Sequence, residues 1–279
     1  MSYTAQDVKK LRDMTGAGMM DCKNALEEAA GDFEKAIEVL RKKGQKMMAK
    51  LAGRESNEGV VVAITNGDRS RGVIVNVCCE TDFVTKNEDF VNFVKHLADL
   101  ALEKWPADKE ALLALSMDGQ TVAEHLVEKT GVIGERIELK DFESLEAPQV
   151  LSYIHMGYRS GVIVGINKAG DAFQEAGKNI AMQIAAMKPI AVDRNGIPAD
   201  VIEKEIEIRK ELLRNDPKND GKTDDILEKM VSGSINKFYQ EVALLDQEYV
   251  KANKQTVGEY LRSVDKDLTA TAFRHLSVK

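Results

Sequence analysis

Cysteine is scarce in this chain, with three in 279 residues, and two of them, Cys78 and Cys79, are neighbours. An odd count with an adjacent pair does not suit a disulfide framework, so reduced thiols in or near a core are expected. Histidine is almost as rare. His96, His125, His155 and His275 lie far apart, with no His-Glu-x-x-His spacing and no Cys/His cluster, which excludes the familiar zinc sites. No run of about 18 apolar residues is present to span a bilayer. Met1-Ser2-Tyr3-Thr4-Ala5-Gln6-Asp7 has neither signal-peptide nor transit-peptide character. A cytoplasmic protein with no membrane partner is expected. Positive charge is in deficit, 39 Lys and Arg against 46 Asp and Glu for a net charge of -7, which argues against DNA or other nucleic acid as the main partner.

What is present is length enough for two or three domains, each with its own core. Three short helical patterns open the chain, from Ala5 to Met14, Met19 to Ala30 and Phe33 to Lys43. Val8 and Leu11, then Cys22, Ala25, Leu26 and Ala29, then Phe33, Ala36, Ile37 and Leu40 recur at helical spacing. None is long enough to stand alone, so the three stripes are expected to pack together as one bundle. Thr15-Gly16-Ala17-Gly18 joins the first two helices. It is no phosphate loop: no strand precedes it, no Gly-Lys-Ser/Thr follows, and Asp21 stands where a dinucleotide fingerprint needs its third glycine. Of Met19 and Met20 only one can face inward on a short helix, which leaves the other as an adaptable exposed contact. Residues 50–57, charged and aperiodic, read as a linker.

From Gly59 the pattern changes to strands. Val60 to Ile64 and Gly72 to Val77 flank Asn66-Gly67-Asp68, a strong hairpin signal. The second run ends in Cys78-Cys79-Glu80-Thr81-Asp82-Phe83-Val84, a strand-to-helix corner, and a helix with Phe90, Phe93, Val94, Leu97 and Ala101 on one face comes next and stops by Trp105-Pro106. Two readings of the corner stand. Thr81 or Asp82 caps the helix while Phe83 staples it to the sheet, or an acid and a phenyl ring are presented to a partner from a rigid scaffold. Local physics favours the first. Glu80 and Asp82 could supply only two ligands to Mg²⁺ and no phosphate cradle, and no nucleophile elbow occurs; neither cofactor nor enzymatic activity is expected.

The hairpin-then-helix order recurs. Val150 to Ile154, a turn at Gly157, and Gly161-Val162-Ile163-Val164-Gly165-Ile166 precede an amphipathic segment from Ala176 to Met187. Gly72-Val73-Ile74-Val75 and Gly161-Val162-Ile163-Val164 are the same four residues, which marks a duplicated module. The second copy continues as Asn167-Lys168-Ala169-Gly170-Asp171 without the Asp-Phe pair, so the module does not need that pair to fold. Between Pro198 and about residue 231, Val201, Ile202, Ile206, Leu212 and Leu213, then Ile226, Leu227, Met230 and Val231, flank the turn Asn215-Asp216-Pro217-Lys218-Asn219-Asp220-Gly221. A solvated antiparallel helical hairpin with a narrow apolar seam is expected.

Glu80-Thr81-Asp82-Phe83-Val84 and Thr15-Gly16-Ala17-Gly18-Met19-Met20-Asp21-Cys22-Lys23 together resemble the two signatures of the bacterial elongation factor Ts family. The resemblance implies a guanine-nucleotide exchange factor that binds elongation factor Tu in its GDP-bound and nucleotide-free forms, with no nucleotide bound by this chain itself. It makes Asp82 and Phe83 a wedge that loosens the partner's Mg²⁺/GDP site, with Glu80, Thr81 and Val84 beside it and Ile133-Gly134-Glu135 as a segment that packs beside the wedge and also touches the partner. The first bundle becomes a ubiquitin-associated-like docking domain with contacts at Arg12, Met19 and Met20. The hairpin becomes a coiled-coil protrusion, and His155, Met230 and Val231 become contacts to the partner's third domain. The fold implied is α+β, divided as 1–55 (bundle), 56–147 (first module), 148–190 with 229–262 (second module), 191–228 (hairpin) and 263–279 (tail). The chain departs from the family pattern at Met14, Asn24, Cys78, Arg136, Ser232 and Ser234 and in Phe273-Arg274-His275-Leu276. Without the resemblance, the residues also admit a non-catalytic helix-bundle adaptor whose duplicated module binds another protein or an RNA.

Overall fold

The computed structural model describes residues 3–219, 222–252 and 254–278. The chain is α+β. Three helices, α1 (Ala5–Thr15), α2 (Met19–Glu28) and α3 (Phe33–Leu51), come first. Next come β1 (Glu58–Thr65), β2 (Arg71–Cys79), the one-turn α4 (Asp82–Thr85), α5 (Glu88–Lys104) and α6 (Lys109–Ala114). The two-residue strands β3 (Ser116–Met117) and β4 (Gln120–Thr121) lead into α7 (Val122–Ile133) and β5 (Glu138–Glu146). The second half contains β6 (Gln149–His155), β7 (Ser160–Ile166), α8 (Gln174–Met187), α9 (Ala199–Asn215), α10 (Asp224–Val242), α11 (Val257–Val264) and β8 (Ala270–Ser277). None of the described helices is long and apolar enough to cross a membrane.

Two three-stranded antiparallel sheets, ordered β1-β2-β5 and β6-β7-β8, form the centre. Alternation along each strand sorts side chains between two cores. Val60, Val62, Val73, Val75 and Val77 turn towards Phe90, Val94, Leu97 and Ala101 of α5, whereas Val61, Ala63 and Ile74 turn towards Val150 and Ile163 of the other sheet. In the second sheet Val162 and Val164 meet Ile180 and Ile184 of α8. The layers therefore run helices, sheet, sheet, helices. The repeated tetrapeptides pack across the middle. A Cβ on Gly72 would stand 3.4 Å from Ile163 and 2.7 Å from Val150, and a Cβ on Gly161 would stand 3.2 Å from Ile74 and 2.9 Å from Val61. Each copy's glycine makes room for the other copy's isoleucine, and burial of each isoleucine is worth roughly 1.5–3 kcal/mol.

The third strand of each sheet has no counterpart among the strands expected from sequence, and its physical cause is shared. The β2–β5 register shifts between Asn76 and Val77, so that Asn76 faces Asp141 and Val77 faces Leu139. The β7–β8 register shifts between Gly165 and Ile166, so that Gly165 faces Ala272 and Ile166 faces Ala270. The bulges fall at matching places in the duplicated unit and skip Lys140 and Thr271, which breaks the period-two pattern that would have marked a strand. Residues 270–277, expected as tail, thus complete the second sheet.

Other expectations are corrected by contacts along the chain. α3 does not stop at Lys43 but runs through Gly44 to the buried Leu51, so residues 50 and 51 end a helix and are not linker. Gly44 lies against α7: a Cβ there would meet the Val127 carbonyl oxygen at 2.8 Å, and one on Gly131 would meet the Gly44 Cα at 3.0 Å. Arg41 and Glu124 form an ion pair across the same junction. The bundle core of Val8, Leu11, Cys22, Ala25, Leu26 and Ala36 is thereby held against the first module by helix-helix contact. The hairpin after β1 is present, yet the left-handed residue is Arg69 (φ 59°), because Asp68 Oδ1 accepts from the Ser70 amide and hydroxyl and closes the turn one step later than Asn66-Gly67 suggested. α10 extends to Val242, well past the expected hairpin end. Asp220 and Gly221 of its turn lie outside the described residues.

Candidate functional site

At the end of β2 the chain leaves the sheet, turns at Glu80-Thr81 and makes one helical turn, α4. Four residues cannot hold a helix by themselves, and Thr81, at the N-cap position, makes no capping bond to α4. The corner is held from elsewhere. Gly134 (φ 80°) ends α7 and turns the chain so that Glu135 faces the corner. Glu135 Oε2 accepts from the amides of Glu80 (3.1 Å) and Thr81 (3.0 Å), and Oε1 accepts from the Thr81 hydroxyl (2.6 Å). In return Glu80 Oε1 accepts from the Arg136 amide (2.8 Å), and its Oε2 accepts from Arg54 Nη1 (3.0 Å). These bonds, the Arg136 amide first and Arg54 next, hold the Glu80 carboxyl below the usual carboxylate range. Val84 is buried in the α5 side of the core and anchors the far end.

The consequence is that Phe83 points out. It is 79% exposed, the most exposed large apolar side chain among the described residues, and it is not the staple that local physics favoured. Asp82 stands beside it with its side chain 47% exposed, in contact with Lys86 Nζ at 2.6 Å. Lys86 also lies 5.9 Å from the Phe83 ring centroid. The lysine's hydrogen bond and charge keep the Asp82 carboxyl low, so at neutral pH the tip carries a phenyl ring and an ionised acid.

The remaining sequence-derived positions divide by exposure. Arg12 is exposed, and Met19 and Met20 are exposed together with Met14, one of the departures from the family pattern. Both methionines at 19 and 20 face out because Cys22, Ala25 and Leu26 supply the buried stripe of α2. Gly134 is exposed and Ile133 half-buried against the first core. His155 is half-buried and its Nδ1 lies 2.8 Å from the Tyr153 hydroxyl. Met230 is half-buried, whereas Val231 is buried in the seam between α9 and α10, so it offers packing and little surface. Glu80 and Thr81 likewise spend their polar atoms inside the molecule, and Val84 is core. The expected place of Glu135 beside the wedge holds, though its role as the clamp on residues 80 and 81, 55 positions away, was not read from sequence; sequence reasoning missed Arg54, 26 positions from Glu80. His275 Nε2 sits 2.9 Å from Ser160 Oγ, the residue paired with His155 across β6–β7.

Nothing at the corner suits bond-making chemistry. Cys79 lies behind it, its thiol donating to the Thr81 carbonyl at 3.3 Å, and burial pushes the Cys78 and Cys79 thiols up to about 11 and about 12, which keeps both neutral and unreactive. Among the described residues no three His, Cys, Asp or Glu side chains are placed to hold a metal ion. A cleft between the bundle and α7 is lined by Asp21, Glu34, Glu38, Glu124 and Glu128 together with Arg41 and Lys43, which pair with Glu124 and Asp21.

Comparison with known proteins sets this corner in context. The family model described as Elongation factor TS matches residues 80–278, a span that begins at Glu80. Elongation factor Ts of Christiangramia forsetii is 47% identical over 275 residues, covering 99% of this chain and 98% of that protein. Elongation factor Ts of Flavobacterium psychrophilum is 45% identical over 277 residues, covering 99% of each, and that of Cytophaga hutchinsonii 44% identical over 279 residues, again covering 99% of each. With a clamped corner that opens the matched span and relatives that align over nearly the whole length, the chain belongs to the elongation factor Ts family.

Proposed function

We propose that this chain is a guanine-nucleotide exchange factor that binds elongation factor Tu and releases GDP from it during translation elongation. The observation that supports it most directly is the direction of Phe83: an apolar ring held out in solvent, on a corner fixed by five hydrogen bonds, is presented ready to fill a pocket on a partner. No bond is made or broken. The partner holds GDP with the help of Mg²⁺, and a ligand that binds better to a form with that site displaced weakens GDP by the same factor that GDP weakens the ligand. Phe83 supplies the apolar, steric part of that preference. Asp82, ionised and released from Lys86, competes for the polar groups that order the Mg²⁺ site. Arg12, Met14, Met19 and Met20 on the bundle supply an adaptable docking surface for the nucleotide-binding domain, and His155 with Met230 a second grip on the third domain.

The test is release of a fluorescent GDP analogue from elongation factor Tu. Substoichiometric amounts of this chain accelerate release, and each molecule turns over many times. A passive adaptor would leave the rate unchanged.

A further inference from the structure

The contacts behind the wedge extend to the N-terminal bundle. The segment that leaves α3 and enters β1 passes the corner, and Arg136 reaches across to it: Nη1 donates to the carbonyl oxygens of Ala52 (2.8 Å) and Arg54 (2.6 Å), while Nη2 is held by Glu138 (2.5 Å). Glu138 is fixed in turn by the Ser56 hydroxyl (2.5 Å). Arg54 therefore takes part twice, with its carbonyl receiving Arg136 and its guanidinium donating to Glu80. Glu80 closes the ring by accepting the Arg136 amide. Three stretches distant in sequence, 52–56, 80–81 and 135–138, meet in this one knot. α3 continues unbroken to Leu51, one residue before the first carbonyl that Arg136 holds, so the exit of α3 and the wedge corner are held by the same side chains.

We propose that Arg136, through Arg54 and Glu80, is a positioning device that locks the wedge corner to the α3 exit, so that a docked bundle delivers Phe83 in a fixed orientation. The inference rests on the exchange reading and deepens it. Arg136 and Arg54 spend their guanidinium groups on contacts within the chain. They act by restricting a four-residue turn that has no stability of its own, and displacement of a positioned group by about 1 Å is enough to cost on the order of a hundredfold in rate. Two ion pairs, Arg54 with Glu80 and Arg136 with Glu138, are linked through the Arg136 amide and the Arg54 carbonyl, a network where a lone surface pair would contribute little.

The experiment uses the full chain with Arg136→Ala and, as the milder variant, Arg54→Met, whose side chain is 55% exposed and whose loss leaves every backbone contact in place. Backbone order parameters of residues 80–85 in the free protein are measured by NMR beside catalysed GDP release. The expected result is a fall in order at the corner from the rigid range near 0.85 towards 0.6, with kcat for exchange reduced about tenfold in Arg136→Ala and about threefold in Arg54→Met, and KM for the Tu·GDP complex changed less than about twofold. Arg136→Lys recovers part of both, since an ammonium can reach one carbonyl and not two. Unchanged order at 80–85 overturns the proposal, as does a loss confined to KM, which would make the knot a docking element. If Arg136→Ala does not fold, Arg54→Met decides by the same criteria. Failure of the wild-type chain to release GDP sinks the exchange reading, and the order parameters still report on the knot.

Discussion

The two copies of the duplicated module share a tetrapeptide, a bulge position and a layer order, and they part ways at the end of the second strand. After β2 the chain enters the Glu80–Thr81 corner and carries Phe83 outward. After β7, Asn167 is sewn to the strand entry of β8: its amide donates to the Thr269 carbonyl (3.1 Å), its side-chain amide to the Asp267 carbonyl (2.7 Å), and its Oδ1 accepts from the Thr269 amide (2.9 Å). Lys168 pairs with Asp265 at 2.6 Å, and Phe173, the nearest phenyl ring, packs into the second core. Both copies build the same scaffold, and the direction of one aromatic ring separates a structural corner from a projecting one. In both copies the hydrogen bonds come from the segment that leads into the third strand, Asp265 to Thr269 before β8 and Glu135-Arg136 before β5; the first copy adds Arg54, from the connector below α3.

That comparison is broken most severely at its shared centre. Ile74→Ala and Ile163→Ala each remove a fully buried side chain from the inter-sheet core, and each is expected to cost about 3 kcal/mol in denaturant unfolding. Costs that differ by more than about twofold would mean that the copies are not equivalent supports. The next test exchanges the rings. Phe83→Ala should slow catalysed GDP release at least about tenfold, a loss of about 1.4 kcal/mol, with little change in melting temperature. Phe173→Ala should instead lower stability by about 2 kcal/mol and leave exchange per folded molecule intact. Reversal of those two outcomes would restore Phe83 to the role of a staple.

The smallest effect concerns acid. Burial first and Lys188 second hold the His275 imidazole below its ordinary value, whereas β5 carries no histidine at all. A lowered folded pKa means that the unfolded chain takes up the proton more readily. The contribution is complete above the ordinary histidine value near 6.5 and is lost as the pH falls below it. Melting temperature should therefore decline from pH 7 to 5, and His275→Gln should flatten that slope. An unaltered slope would show that the burial of His275 beside Lys188 carries no linkage.

The elements with regular periods were legible from residues alone: the stripes of α1, α2 and α5, the β1–β2 and β6–β7 hairpins, and the stop at Trp105, which adopts φ 50° as the C-cap before Pro106. So was the repeat, because Gly72 and Gly161 recur with the isoleucines they accommodate. β5 and β8 were not, since the skipped Lys140 and Thr271 put Leu139 and Phe142 three apart and disguise a strand. At the site, the motif singled out Asp82 and Phe83, but local rules favoured a cap and a staple, and nothing in five consecutive residues says which way a ring will point. That was decided by Glu135, Arg136 and Arg54, which reach the corner only after α7 has packed on α3 and β5 has joined β2. Periodicity reports how one segment buries its own face; the orientation of an exposed side chain depends on hydrogen bonds between segments, and those exist only once the tertiary structure has brought them together.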